Sequence, residues 1–245
     1  MRVAIICIAK NEDQYIEEWS NYHLKLGFDD IVIYQNNWKC KLEHSNIKLV
    51  NFPGKHVQME AYNDFIKNYK NDYDWAAFID CDEFIHLKKH SNIKEFISEY
   101  HNDFGISMNW YMFGSNNKLV RDNENKNSLI KQFILRDKDV NRHIKTLLNL
   151  KSESKMSFPH NPTNKLMDTN GKFFYGPFNE NGPTDVVQLN HYYYKTYEDW
   201  LILCERGQAD YTPTKTPKLW LNNTHVFCDV EDYGVYNFMY NKNQL

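Results

Sequence analysis

No Cys-x-x-Cys pair occurs in the 245 residues, and the five cysteines, Cys7, Cys40, Cys81, Cys204 and Cys228, are scattered and odd in number. This excludes a zinc ribbon or a disulfide scaffold as the organising device and suits a reducing compartment. Neither Gly-x-Gly-x-x-Gly nor a Walker sequence is present, which argues against a dinucleotide or P-loop site. No apolar run approaches the ~18 residues of a membrane-crossing helix, and the apolar start at residues 1–8 is too short for a signal peptide. A soluble, cytoplasmic protein with at most peripheral membrane contact is the expectation. Positive charge is not in excess either: 29 Lys and Arg against 32 Asp and Glu leave a net charge of −3, which disfavours a nucleic-acid partner. With no repeat and no linker, a single domain over residues 1–245 is expected.

Aromatic residues are plentiful, at 16% of the chain with 17 Tyr and 6 Trp. Such side chains fill cores and also line sugar sites. The most informative stretch is residues 74–86, Asp-Trp-Ala-Ala-Phe-Ile-Asp-Cys-Asp-Glu-Phe-Ile-His. The unbroken apolar run at 75–79 marks a strand buried on both faces. Asp80, Asp82 and Glu83 follow at its carboxyl end, where open α/β sheets bind ligands. An extended Asp-x-Asp puts two carboxylates on one face, about 7 Å apart. That spacing suits one hard cation beside a diphosphate or ribose.

Strands are expected at 2–9, 31–34, 47–52 and 75–79, with helices at about 15–26 and 57–69. Gly27 closes the first helix as a left-handed residue. This order predicts an α/β protein with a mostly parallel, doubly wound central sheet flanked by helices. Further on, a helix is expected at 91–100 and strands at 106–113, 129–135, 144–150 and 186–189, the last delivering His191. Residues 176–184 read as a mobile loop. Thr196 and Asp199 form a capping-box start to a helix through Glu205.

Several blocks in this order resemble glycosyltransferase family 92 and its family-2-like bacterial relatives. They are Lys10-Asn11-Glu12 with Ile16-Glu17-Glu18-Trp19, Tyr22-His23 and Leu26-Gly27-Phe28, then Tyr73-Asp74-Trp75 with Phe78-Ile79-Asp80-Cys81-Asp82-Glu83-Phe84. Asn190-His191-Tyr192 follows, with Lys195-Thr196, Glu198 and Arg206-Gly207. The resemblance implies a GT-A-type, Rossmann-like fold and a metal-dependent, inverting hexosyltransferase. It would move a sugar from a nucleoside-diphosphate sugar, UDP-sugar favoured, to a glycan or glycoconjugate hydroxyl. Residues 1–100 would form the nucleotide-sugar half and 101–245 the acceptor half.

Under this reading Asp82 and His191 are the metal ligands, with Asp80 on the ribose or a metal-bound water. Mn²⁺ suits carboxylate and imidazole better than Ca²⁺ does, with Mg²⁺ as the other candidate. Donor-binding residues are expected among Ala9, Lys10, Asn11, Glu12, Asn36, Gln58, Cys81, Lys145, His160, Lys195 and Arg206, with His160 over the diphosphate. Gln35 and Asn36 stand where relatives carry an aspartate, which leaves the base and donor open. Trp110, Tyr111 and Phe113 are candidates to stack on a sugar. Inversion needs a general base; Asp210 matches a recurrent family position, with Glu180 and Asp185 as alternatives. A sugar-phosphate nucleotidyltransferase and an inactive glycan-binding module remain open beside the transferase.

Overall fold

The computed structural model describes residues 1–207, 215–223 and 226–241. In chain order the first half holds β1 (Val3–Ala9), α1 (Ile16–Lys25), β2 (Asp30–Gln35), β3 (Ile47–Asn51), α2 (Gln58–Tyr69), β4 (Trp75–Phe78), β5 (Glu83–Leu87) and α3 (Ile93–Glu99). The second holds β6 (Gly105–Phe113), α4 (Leu129–Gln132), β7 (Leu135–Arg136), β8 (Asn141–Asn149), β9 (Met156–Phe158), β10 (Asn161–Pro162), β11 (Leu166–Met167) and β12 (Phe173–Phe174). β13 (Val187–Tyr192), α5 (Tyr197–Arg206), α6 (Pro217–Leu221), β14 (Val230–Glu231) and α7 (Gly234–Tyr240) complete it.

Alternation along β1 builds the layers, because successive side chains of a strand point to opposite faces. Val3, Ile5 and Cys7 join Trp19 and Tyr22 of α1 and Phe96 of α3 in one core. Ala4, Ile6 and Ile8 pack with Tyr62, Phe65 and Ile66 of α2 in another. Lys25 is the last helical residue of α1, and Gly27 takes φ +101° just beyond it. Asn92, which caps α3, and Ile93, which opens it, lie against that glycine, so a side chain there would meet both strain and crowding.

The sheet is mixed, not mostly parallel. β4, β1, β2 and β3 are parallel neighbours in that order. β8 then lies antiparallel between β4 and β6, while β13 is parallel to β6 and antiparallel to β5. An apolar run reads the same in both chain directions, so strand polarity beyond residue 78 is not in the hydrophobic pattern. β5 was not expected; Phe84 and Ile85 face the core while the ladder to β13 satisfies their backbone. The strand expected at 129–135 is a helical turn followed by the short β7. The buried Glu18 carboxylate accepts from the Leu129 amide at 2.7 Å and from the Ser128 hydroxyl, so the orphan amides of a helix start find a partner there. Residues 176–184 are tied down: Ile144 N–H donates to Pro177 O at 3.2 Å and Asn179 N–H to Arg142 O at 2.8 Å.

His23 is wholly buried, its Nδ1–H donating to Trp19 O at 2.9 Å and its Nε2 accepting from Ile85 N–H at 3.5 Å. Burial lowers its pKa to about 3. Because the folded value lies below the unfolded ~6.5, the unfolded chain takes up this proton first as pH falls. Stability is fully present above that value and drains away below it, by about 3 kcal/mol at pH 4.5 from this residue. Urea titrations of His23→Phe between pH 6.5 and 4.5 are expected to show a dependence shallower than the parent's by about one proton; equal slopes would refute the assignment.

Candidate active site

The carboxyl ends of β1, β2, β4, β6 and β13 share one edge of the sheet, and the acids gather there. Asp80, Cys81 and Asp82 are not extended. They form a turn in which Glu83 N–H donates to Asp80 O at 3.1 Å. The turn sends Asp80 and Asp82 outward and turns Cys81 into the core, 4% exposed. Cys81 therefore has only its backbone to offer a ligand.

Each acid meets a buried cation. Lys145 of β8 donates to Asp80 Oδ2 at 2.8 Å and lies 3.8 Å from Glu83. Gln58, the first residue of α2, donates to Asp80 Oδ1 at 2.9 Å. Lys195 donates to Asp82 Oδ2 at 2.7 Å, from a backbone held at φ +46° although it is not glycine. Conformations of that kind cost about 1–3 kcal/mol and gather at functional sites. Burial opposes ionisation of Asp80, but the Lys145 ammonium outweighs it and holds the carboxyl below its usual range. Asp82 is likewise penalised by burial and pulled well down by Lys195, then His191. Glu83 is fully buried and pushed well above the usual range by desolvation, with Oε1 lacking a partner among the described residues.

Arg206, at the end of α5, pairs with Glu12 and donates to Lys10 O at 3.0 Å; Lys10 Nζ returns a bond to Arg206 O at 2.8 Å. These residues with Ala9 and Asn36 line a small cavity of about 50 Å³. A larger cavity, about 460 Å³, lies at the opposite edge of the sheet beside Arg2, Asp74 and Lys151, away from this cluster. Lys215 was missed from sequence. Its ammonium lies 4.5 Å over the Tyr193 ring and 5.1 Å from Trp200, with no ion pair among the described residues. Burial lowers its pKa to about 8, although Asp82 favours the charge. Only the fold brings this lysine onto the Tyr193 and Trp200 rings; no local pattern marks it.

His191 Nε2 lies 3.7 Å from Asp82 Oδ1. Burial lowers its pKa to about 4, so it is a neutral imidazole near pH 7. That oxygen and nitrogen are close enough for one divalent ion to touch both. Among the described residues no group of three acids, histidines or cysteines encloses an ion. His191 Nδ1 is buried without a partner, whereas metal-ligating histidines usually have that second nitrogen bonded. An ion touching both would need its remaining ligands from substrate phosphate and water.

Other expected residues lie as follows. Asn36 spends its amide on Phe52 O and Gly54 O, at 3.1 and 3.0 Å, and Gln35 Oε1 accepts from Cys40 N–H, so both side chains hold loops. Asn11 is exposed at φ +55°. His160 and Trp110 stand beside His191 and Lys145, whereas Phe113 is fully buried and Tyr111 is capped by the Arg136 guanidinium at 3.9 Å. Glu180 is exposed at the rim, paired with Arg142 at 3.2 Å. Asp185 is not brought to this site. It pairs with Lys89 before β13 begins, about 20 Å of strand from His191. Asp210 lies outside the described residues.

Comparison with known proteins follows the same blocks. The model of glycosyltransferase family 92 matches residues 3–201. A family 92 protein of Ricinus communis is 23% identical over 109 residues, 41% of this chain and 20% of that protein. One of Oryza sativa subsp. japonica is 22% identical over 107 residues, 40% and 18% of the two chains. These matches thus span about a fifth of the curated relatives' length. Among solved structures, residues 1–349 of S. aureus TarS align with a TM-score of 0.34 and 20% identity, covering 45% of this chain and 36% of that one. Its complex with UDP aligns with a TM-score of 0.33 and 19% identity, covering 51% and 40%. A likeness so partial does not define the fold. The family match over most of the chain does define the kinship, and the chain belongs to glycosyltransferase family 92.

Proposed function

We propose that this chain transfers a sugar, with inversion, from a nucleoside-diphosphate sugar to a glycan or glycoconjugate hydroxyl, in a GT-A-type site at the carboxyl edge of its sheet. The observation that carries the reading is the pairing of Asp82 with Lys195 and His191 at that edge, in a chain of this family. A departing diphosphate gathers negative charge as its bond to the anomeric carbon breaks, and preorganised cations stabilise that charge more than they stabilise the ground state. Lys195 and Arg206 are fixed by their acids, while Lys215 rests on aromatic faces and has charge to offer. Asp82 and His191 would hold a divalent ion, Mn²⁺ or Mg²⁺, which supplies Lewis-acid neutralisation of the diphosphate when bound. Asp80, held by Lys145 and Gln58, would accept from a ribose hydroxyl. Asp210 is the proposed base for the acceptor hydroxyl, with Glu180 at the rim as the other choice.

Incubation with UDP-hexoses is expected to give slow Mn²⁺-dependent release of UDP without acceptor. Calorimetry is expected to show UDP binding that chelator abolishes. UDP bound equally well with chelator would remove the metal from this reading. No binding or turnover of any nucleotide sugar would remove the transferase.

A further inference from the structure

We propose that the aromatic wall Phe158–His160–Trp110–His143–Phe178 is a subsite for a neutral, hydroxyl-rich pyranose of the acceptor glycan. Its two imidazoles would accept sugar hydroxyls and its two phenyl rings would stack on C–H faces. The identification of that pyranose with the acceptor rests on the transferase reading above.

The rings are continuous. Centroids lie 5.5 Å apart for Phe158 and His160, 5.0 Å for His160 and Trp110, 5.1 Å for Trp110 and His143, and 4.8 Å for His143 and Phe178. The wall begins at the reaction centre, where Trp110 lies 4.4 Å from His191, and ends at Phe158 and Phe178, which are 46% and 39% exposed. Its polar atoms are selective. His160 Nδ1–H donates to Ile144 O at 2.8 Å, and His143 Nδ1–H donates to Asn141 Oδ1 at 2.8 Å. Each Nε2 is thereby left as a bare acceptor, with no recorded partner among the described residues. Between them Trp110 is buried and supplies the ring that links the two imidazoles. Two neutral acceptors complement hydroxyl groups, whereas a phosphate or carboxylate, which only accepts, finds little to bind. Burial, then neighbouring cations including Lys145, keeps both imidazoles neutral, His160 at about 3. His160 is therefore unsuited to the diphosphate role expected of it from sequence.

The wall is also rigid. Phe178 forms a bridge to His143, and Thr146 Oγ1–H donates to His160 O at 2.8 Å in the turn between β9 and β10. Preformed rings bind without paying for their own ordering.

Calorimetry with cellohexaose, mannohexaose, galactohexaose and hexagalacturonate tests the subsite. At least one neutral hexaose is expected to bind, and the hexauronate at least tenfold more weakly. Phe158→Ala, Phe178→Ala and His143→Phe should each weaken the neutral ligand by about tenfold. Phe173→Ala, exposed but off the wall, should bind as the parent does. Parental affinity in all three wall variants, equal binding of the hexauronate, or no binding of any neutral hexaose overturns the proposal. Donor hydrolysis by the parent, measured without acceptor, separates the two readings. Wall-dependent glycan binding without hydrolysis keeps the subsite and overturns the transferase, and hydrolysis with wall-independent binding does the reverse.

Discussion

With Asp82 replaced by asparagine, sugar transfer and donor hydrolysis are both expected to fall by at least about 10²–10³-fold. On the proposed reading both reactions need the leaving diphosphate neutralised, and Asp82 is the acid that pairs with Lys195 and lies beside His191. The fold is expected to lose about 3 kcal/mol as well, because the amide leaves the Lys195 ammonium buried without a counter-charge. Since the folded carboxyl titrates below its unfolded value, its contribution is present above the usual carboxylate range and fades only as pH falls through the depressed one. The double variant Asp82→Asn/Lys195→Met separates the roles. It should recover most of the urea stability while staying inactive. Parental transfer by Asp82→Asn would place the reaction elsewhere on the molecule.

Lys145→Met is expected to be the most destabilising single change at the site, by about 3–5 kcal/mol at pH 7. The side chain is fully buried, 2.8 Å from Asp80 and 3.8 Å from Glu83, and burial alone would discharge it; the two acids hold its pKa up instead. Methionine fills similar volume but leaves Asp80 next to a neutral chain. With the ammonium gone, burial raises the Asp80 carboxyl, so protonation near pH 5 relieves the uncompensated charge. Denaturant midpoints should therefore separate parent and variant more at pH 7 than at pH 5. Lys145→Arg, which keeps the charge, should cost less at both. An equal gap at the two pH values would mean that packing, not charge, explains the loss.

Reading the chain in order exposes where local pattern is enough. β-Branched runs at 2–9 and 31–34, helical spacing from Tyr15 to Leu26, the glycine after α1 and the Thr196/Asp199 capping box all describe neighbours in sequence, and the structure has an element at each. Glu18 shows the opposite case. In sequence it is an ordinary acid in the first turn of a helix, yet its carboxylate caps the turn at Ser128–Leu129, more than 100 residues away, and makes a helix start where a strand was expected.

The sequence by itself determined the α/β class, the four parallel strands up to residue 78, and the acids waiting at the end of β4, because these follow from side-chain periodicity and adjacency. Only the tertiary structure decided that Asp80 and Asp82 each meet a buried lysine, that Cys81 faces the core, that Asp185 lies at the far edge and that Lys215 rests on Tyr193 and Trp200. A strand's direction beyond β4, and the identity of a charge's partner across the sheet, depend on which segments pack together. In the low dielectric of that edge an unpaired charge is costly, so packing and pairing are settled together, at separations in the chain that no local pattern spans.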